Sequence, residues 1–72
     1  MKIRAIGFIA EILGTREFTV RIQGKVKISD LVKLPDDIHD KLIVLVNGSP
    51  ADLNFKVENG DEVVLMPMIS GG

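Results

Sequence analysis

The sequence predicts an α+β fold in which a mixed sheet of four to five strands packs on one short helix. Apolar, β-compatible stretches recur along the chain, one segment has apolar residues at helical spacing, and turn signals separate the stretches. A helix with one apolar stripe must bury that stripe, and the sheet offers the surface for it. With 72 residues, of which 46% are hydrophobic, we expect residues 1–72 to form a single domain.

The first part of the chain predicts a β-hairpin. Residues 2–10 are apolar and β-compatible, and both faces become apolar in their second half, which is typical of a strand buried on both sides. Residues 17–23 alternate between apolar and polar side chains, which indicates a second strand. Gly14 and Thr15 lie in the short connection as a turn signal, so we expect the two strands to pair.

The middle of the chain predicts the single helix. Ile28, Leu31 and Val32 recur at the spacing of one helical face. Pro35 disfavours helical geometry at the residue before it, so the helix must be short. A second brief turn is expected over residues 36–40.

The segment after the helix predicts two more strands. Residues 42–46 (LIVLV) form a continuous apolar run of the kind found inside a sheet. Asn47 and Gly48 follow as a strong turn pair. Pro50 then limits residues 49–56 to an edge strand or a loop, because proline cannot donate to a sheet ladder.

The last strand is predicted at residues 62–66 (EVVLM), after a tight turn at Asn59-Gly60-Asp61. Pro67 marks the position where strand pairing should end. We expect this strand to lie beside the first one in the centre of the sheet.

The composition excludes several classes of function. The chain has no Cys, which rules out disulfides, a thiolate nucleophile and cysteine metal sites. Its formal net charge is -1 and it has no basic run, so we expect no nucleic-acid partner. It has no signal-peptide pattern and no apolar run of about 20 residues, so we expect a cytoplasmic protein without a membrane partner.

No set of residues predicts catalysis or metal binding. His39 is the only histidine, and Asp37 and Asp40 beside it are best explained as surface charges, so we expect no metal site. Ser29 and Ser70 have no base partner for nucleophilic chemistry. We therefore expect that the chain is not an enzyme by itself.

The sequence ends on Gly71-Gly72, a few residues after the last strand. Glycine loses more backbone freedom on ordering than any other residue and adds nothing to packing. We therefore interpret residues 67–72 as a flexible C-terminal tail that presents the Gly72 α-carboxylate to a narrow site. A frayed chain end is the alternative interpretation.

Three motifs indicate a resemblance to a known family. These are Val46-Asn47-Gly48 at the end of a strand, Gly60-Asp61-Glu62-Val63 before the last strand, and the final residues 67–72 (PMISGG). Together with the order of the elements, they resemble the ubiquitin-like sulfur carriers of the MoaD/ThiS type. The closest resemblance is to MoaD, the small subunit of molybdopterin synthase. The resemblance implies a ubiquitin-like β-grasp fold.

Three features depart from the MoaD pattern. The connection at residues 10–14 is shorter than usual and lacks the usual arginine, the helix over residues 28–34 is truncated, and Met68 stands where MoaD often has a second proline. These differences lie where a partner surface is expected, so they bear on the identity of the partner more than on the fold.

The resemblance implies a carrier whose reactive group is the Gly72 carboxylate. A ubiquitin-activating-type adenylyltransferase would adenylate this carboxylate with ATP and magnesium, and a sulfur donor would convert it to a thiocarboxylate. The large subunit of molybdopterin synthase, or another acceptor enzyme, would then take the sulfur. No cofactor is expected on the chain itself.

Two sets of residues are predicted to serve this chemistry. Pro67, Met68, Ile69, Ser70 and Gly71 would present the carboxylate to the activating enzyme. An apolar sheet face at the base of the tail would bind the partner, because ordering the tail costs free energy that contacts elsewhere on the domain must offset. The residues predicted for that face are Ile6, Phe8, Leu65 and Met66, and the alternative is that they pack under the helix or a loop.

Three other functions remain open at this point. The same tail suits a ThiS-like carrier for thiamine thiazole synthesis or for tRNA thiolation. It also suits a ubiquitin-like modifier that is joined through Gly72 to lysines of target proteins. The last alternative is a plain interaction domain whose tail has no chemical role.

Overall fold

The computed structural model describes residues 1–68. The predicted tail residues Ile69, Ser70, Gly71 and Gly72 lie outside this range. The strands are β1 (Lys2–Ala5), β2 (Glu17–Thr19), β3 (Val26–Lys27), β4 (Leu42–Val46), β5 (Ser49–Ala51), β6 (Lys56–Val57) and β7 (Glu62–Pro67). The helices are α1 (Phe8–Leu13), α2 (Ile28–Leu31) and α3 (Asp36–His39).

Five strands form one mixed sheet in the order β2-β1-β7-β4-β5. The first and last strands, β1 and β7, are parallel neighbours in its centre, and the other pairs are antiparallel. β3 and β6 form a separate antiparallel pair. The predicted mixed sheet with adjacent first and last strands is therefore confirmed.

The prediction for the first strand was wrong beyond Ala5. Gly7 turns the chain with φ 62° and ψ -140°, and α1 begins at Phe8. A short apolar run fits a buried strand and a buried helix equally well, and here the helix buries Ile9 completely while Phe8 remains 43% exposed. β1 and β2 do pair as predicted, but a helix and not a short turn connects them.

Within residues 1–68 the predicted single helix is one of three short helices. α2 ends at Leu31, earlier than expected, because Val32 is extended with φ -126° and ψ 138°. The brief turn expected after Pro35 is confirmed as α3. Among the described residues, no helix is both long enough and apolar enough to cross a bilayer.

The core lies on one face of the large sheet. Alternate residues of the central strands point into it, since successive strand residues face opposite sides. Burying one such Val, Leu or Ile side chain stabilises the fold by about 1.5–3 kcal/mol. The buried core residues are Ile3, Ala5, Ile9, Ile28, Val32, Val44, Val46, Val57, Val63 and Leu65.

Two turns are tied together at the start of β7. Asn47 and Gly48 both have positive φ, 52° and 86°, as a tight hairpin turn of this kind requires. The Asn47 side chain donates to Oδ1 of Asp61 and accepts from the Glu62 amide, each at 2.9 Å. The amide of Glu58 donates to Oδ2 of Asp61 at 2.9 Å, and this bond, followed by the Asn47 bond, lowers the pKa of the Asp61 carboxyl. Asp61 therefore has a structural role at this turn.

Candidate functional site

The base of the predicted tail lies at the end of the central strand β7. Pro67, the last residue of β7, pairs with Leu42 at the start of β4. The Met68 amide then donates at 2.7 Å to the carbonyl of Lys41, the residue before β4, so the pairing continues for one more residue. Met68 is 54% exposed. The chain past Met68 thus starts from an exposed position on a firmly paired strand.

The other side of this base is formed by the chain that leaves β1. The Ile6 amide donates to the Leu65 carbonyl at 2.9 Å, which extends the parallel β1–β7 ladder by one residue. Gly7 follows and lies against the Pro67 ring, since a Cβ placed on Gly7 would be 3.3 Å from Pro67 Cγ. Pro67 is therefore held between the turn at Gly7 and the start of β4.

The face of the sheet opposite the core carries an apolar surface beside this base. In the β4–β7 register Ile43 lies opposite Met66 and Leu45 lies opposite Val64. All four side chains are partly exposed, while the residues between them point into the core. We call Ile43, Leu45, Val64 and Met66 the outer patch.

The borders of the outer patch are set by the neighbouring strands. Pro50 of β5 lies opposite Leu45, and Arg4 of β1 lies beside Val64. Arg4 also forms an ion pair with Glu17, with 3.6 Å between Nε and Oε1. Both side chains are about half exposed, and such surface pairs contribute about 0–1 kcal/mol. The outer patch is thus an apolar surface that is bordered by Pro50 on the β5 side and by the charged Arg4 on the β1 side.

The structure brings some of the predicted partner-binding residues together. Met66 belongs to the outer patch, and Ile6, which is 49% exposed, continues β1 at the position beside it. Phe8 is exposed as predicted, but it starts α1 and does not lie on a strand. Leu65 is 0% exposed and packs in the core, because it points to the opposite face of β7 from Met66. Its side chain therefore does not form part of the exposed surface.

The predicted tail residues are described only in part. Pro67 and Met68 form the base described above, whereas Ile69, Ser70, Gly71 and Gly72 lie outside residues 1–68.

Sequence reasoning missed three residues of the outer patch, Ile43, Leu45 and Val64. The runs LIVLV and EVVLM are apolar at every position, so neither shows which face is buried. The exposed face can be identified only when the two runs are paired, because the two members of each cross-strand pair lie on the same face of the sheet.

A mixed five-stranded sheet with parallel central β1 and β7, packed against short helices, defines a ubiquitin-like protein of the β-grasp class. The sequence profile of the ThiS family matches residues 3–72. The chain therefore belongs to the ThiS family, a family of small ubiquitin-like sulfur carriers and modifiers that work with activating enzymes and acceptor proteins.

Solved structures with similar folds include two of a protein from Haloferax volcanii. The crystal structure of SAMP1 from Haloferax volcanii has a TM-score of 0.75 and 28% sequence identity, and the alignment covers 99% of this chain and 97% of that one. A second crystal structure, of H. volcanii small archaeal modifier protein 1, has a TM-score of 0.74 and 25% identity over 94% of this chain and 95% of that one. Among curated protein sequences, none matches this chain significantly.

Proposed function

We propose that this chain is a sulfur carrier whose reactive group is the α-carboxylate of Gly72. The observation that carries the proposal is the family match, which runs through Gly72 on a domain whose central strand ends at an exposed tail base. A ubiquitin-activating-type adenylyltransferase would act on Gly72 with ATP and magnesium.

The proposed chemistry has two steps. In the first, the carboxylate attacks the α-phosphorus of ATP and releases pyrophosphate, which leaves an acyl adenylate. In the second, sulfide from the sulfur donor attacks the carbonyl carbon and AMP leaves with one carboxylate oxygen. A free carboxylate would not react in this way, because its oxygen is a poor leaving group until it is bonded to phosphorus. The product is a thiocarboxylate, in which sulfur has replaced one oxygen.

The length of the tail fits this use. Four residues follow Met68, and an extended chain of that length spans at most about 13–14 Å. Ordering each of them in an active site costs about 1–2 kcal/mol, or roughly 4–8 kcal/mol together. The activating enzyme must therefore gain affinity from the body of the domain.

We assign that gain to the apolar surface around the tail base. Val64 and Met66 of the outer patch lie on β7, the strand that leads into the tail, and Ile6 and Met68 are further exposed apolar residues at the tail base. Burial of apolar area contributes about 25 cal/mol per Å², so a partner that covers this surface can offset the ordering of the tail. Phe8 at the start of α1 is a further exposed contact for such a partner.

The acceptor that we propose is the large subunit of molybdopterin synthase. This assignment is based on the resemblance of residues 67–72 to the MoaD tail. A ThiS-like role in thiazole synthesis or tRNA thiolation uses the same activated tail and differs only in the acceptor.

A second function, protein modification, is supported by the two structural neighbours, since the protein in both structures is a small archaeal modifier protein. In that case the activated Gly72 would be transferred to lysine amines and not to sulfur.

Intact mass separates these functions. The chain is incubated with the adenylyltransferase of its own organism, ATP, magnesium and sulfide. A sulfur carrier gains the mass difference between one sulfur and one oxygen atom, whereas a modifier forms high-mass conjugates through lysine when target proteins are added. A chain that shows neither change with an enzyme that consumes ATP on a known carrier would contradict both functions. The thiocarboxylated chain is then offered to each acceptor enzyme in turn, and sulfur loss identifies the acceptor.

A further inference from the structure

We propose that Gly7 is a positioning residue that sets the direction in which the tail leaves the sheet. It does so by letting the Pro67 ring lie directly against the backbone at the start of α1. This role rests on the proposed function of Gly72, because Gly7 would determine the direction of the chain that leads to Gly72.

Gly7 is required at its position for two separate reasons. Its φ of 62° with ψ of -140° is a backbone conformation that L side chains rarely adopt. In addition, a Cβ on Gly7 would lie 3.3 Å from Cγ and 3.5 Å from Cδ of Pro67. The first distance is closer than an ordinary van der Waals contact, so any larger residue must push Pro67 or α1 aside.

Gly7 differs in this respect from the other glycines that the structure describes. Gly14, Gly24, Gly48 and Gly60 also have positive φ, but a Cβ on any of them would meet nothing within 4 Å. These four glycines only allow the positive φ, whereas Gly7 also leaves space for a neighbouring side chain. That neighbour is the last residue of the strand that carries the tail.

The contact acts together with hydrogen bonds on both sides of β7. On one side the Ile6 amide bonds the Leu65 carbonyl, and the Gly7 carbonyl accepts from the Ala10 amide at 3.1 Å to begin α1. On the other side the Met68 amide bonds the Lys41 carbonyl. Proline also fixes its own φ near about -65°. The chain direction at Pro67 and Met68 is therefore determined before any partner binds.

Direction matters because a carboxylate oxygen of Gly72 must meet the α-phosphorus of ATP while the body of the domain is bound to the enzyme, and the four residues after Met68 reach at most about 13–14 Å. A misplacement of about 1 Å in a reacting complex can cost about 100-fold in rate. A Cβ at 3.3 Å demands a shift of only part of that distance, so we expect a loss of about ten-fold in kcat.

Gly7→Ala tests the inference, with Gly24→Ala as its matched control. Both glycines have nearly the same φ, 62° and 64°, but only Gly7 has a neighbour within 4 Å of the added Cβ. Thiocarboxylation is followed with the adenylyltransferase, ATP, magnesium and sulfide while the concentration of the chain is varied. We expect Gly7→Ala to lower kcat about ten-fold with KM within about two-fold, and Gly24→Ala to change neither.

This division between kcat and KM separates positioning from simple destabilisation. Partial unfolding reduces the concentration of folded carrier, which raises the apparent KM and leaves kcat unchanged. Adding Pro67→Ala to Gly7→Ala removes Cγ and Cδ of the proline ring from the contact, and this double variant should be faster than Gly7→Ala alone. Equal kcat in Gly7→Ala and Gly24→Ala would overturn the inference.

A second measurement does not depend on activity. Hydrogen exchange of the Met68 amide reports the bond to the Lys41 carbonyl in the free chain. Gly7→Ala should accelerate this exchange about ten-fold, which corresponds to about 1.4 kcal/mol, and Gly24→Ala should leave it as in the wild type. Pro67→Ala, which opens the contact without straining Gly7, should also accelerate it.

The two measurements also separate failure of this inference from failure of the proposed function. If the wild-type chain gains no sulfur, the proposed function fails, and the Met68 amide alone then decides whether Gly7 fixes the strand end. Unchanged exchange at Met68 in Gly7→Ala overturns the positioning role whatever the activity shows.

Discussion

Leu65 and Met66 are adjacent residues of β7, but replacing each by alanine should affect different properties. Leu65→Ala should lower stability, and Met66→Ala should weaken partner binding. The Leu65 side chain is fully buried in the core, so Leu65→Ala leaves a cavity and should cost about 2–5 kcal/mol. The total stability expected for a chain of this length is about 4–11 kcal/mol, so this single change removes a large part of it. Each kcal/mol lowers the Tm of a small domain by about 4–8 °C.

Met66 points to the partly exposed outer face, where its removal leaves no internal cavity. We expect Met66→Ala to change stability by less than about 1 kcal/mol. If the activating enzyme covers the outer patch, the same change should raise the KM for the chain about ten-fold, since partner contacts of this size are worth about 1–2 kcal/mol.

Thermal unfolding followed by circular dichroism, together with the KM for thiocarboxylation, tests both residues at once. Leu65→Ala should show a large fall in Tm, and Met66→Ala should show a raised KM with a nearly unchanged Tm. A Met66→Ala variant that loses as much Tm as Leu65→Ala would refute the assignment of the two faces. An unchanged KM in Met66→Ala would refute the placement of the partner on the outer patch.

Two further predictions concern the outer patch and the turn before β7. Leu45→Asp places a charge on the outer patch and should raise the KM for the chain by more than ten-fold, about 1.4 kcal/mol or more. Ser49→Asp on the neighbouring strand, where the side chain is exposed, should not raise the KM. Hydrogen bonds from the Glu58 amide and Asn47 lower the pKa of Asp61 below its ordinary value of 3.8. The ionised Asp61 carboxylate therefore stabilises the fold fully at pH values above 3.8, and this stabilisation disappears as the pH falls through the lowered pKa. The Tm of the wild type should therefore fall more than that of Asp61→Asn when the pH is lowered from about 5 to about 2; equal falls would contradict this explanation.

The parts of the fold that the sequence predicts correctly depend on local signals. Asn47-Gly48 determines the β4–β5 hairpin by its turn conformation, and Pro50 fits the edge strand that follows. The last strand is also predicted by its apolar run, although β7 includes Pro67, one residue beyond the predicted end, and the Met68 amide still bonds the Lys41 carbonyl. These features require no knowledge of distant parts of the chain.

The parts that the sequence does not predict depend on contacts between distant segments. The apolar residues before and after Gly7 fit a strand until Gly7 adopts its positive φ, and no local pattern reveals that conformation. The length of α2 is similarly decided where Val32 becomes extended. The outer patch appears only when β4 and β7 are paired, because both are apolar throughout.

The chemical role of the tail is indicated by a family resemblance and not by the physical properties of single residues. Glycine's conformational freedom explains why Gly71 and Gly72 suit a narrow site, but it does not specify adenylation or sulfur transfer. The family match supports the resemblance over nearly the whole chain. The choice between molybdopterin synthesis and the other acceptors depends on partner surfaces, which the sequence of one chain does not contain.

The most direct test of the central claim compares the wild-type chain with a variant that lacks Gly72. Both are incubated with the adenylyltransferase, ATP, magnesium and sulfide, and their intact masses and Tm values are measured. We expect that only the wild type exchanges oxygen for sulfur. The Tm values of the two chains should agree within about 2 °C, which is less than the shift that 1 kcal/mol of stability produces. Equal sulfur incorporation by both chains, or a large fall in Tm on deletion, would show that Gly72 is not the reactive residue of a functional tail.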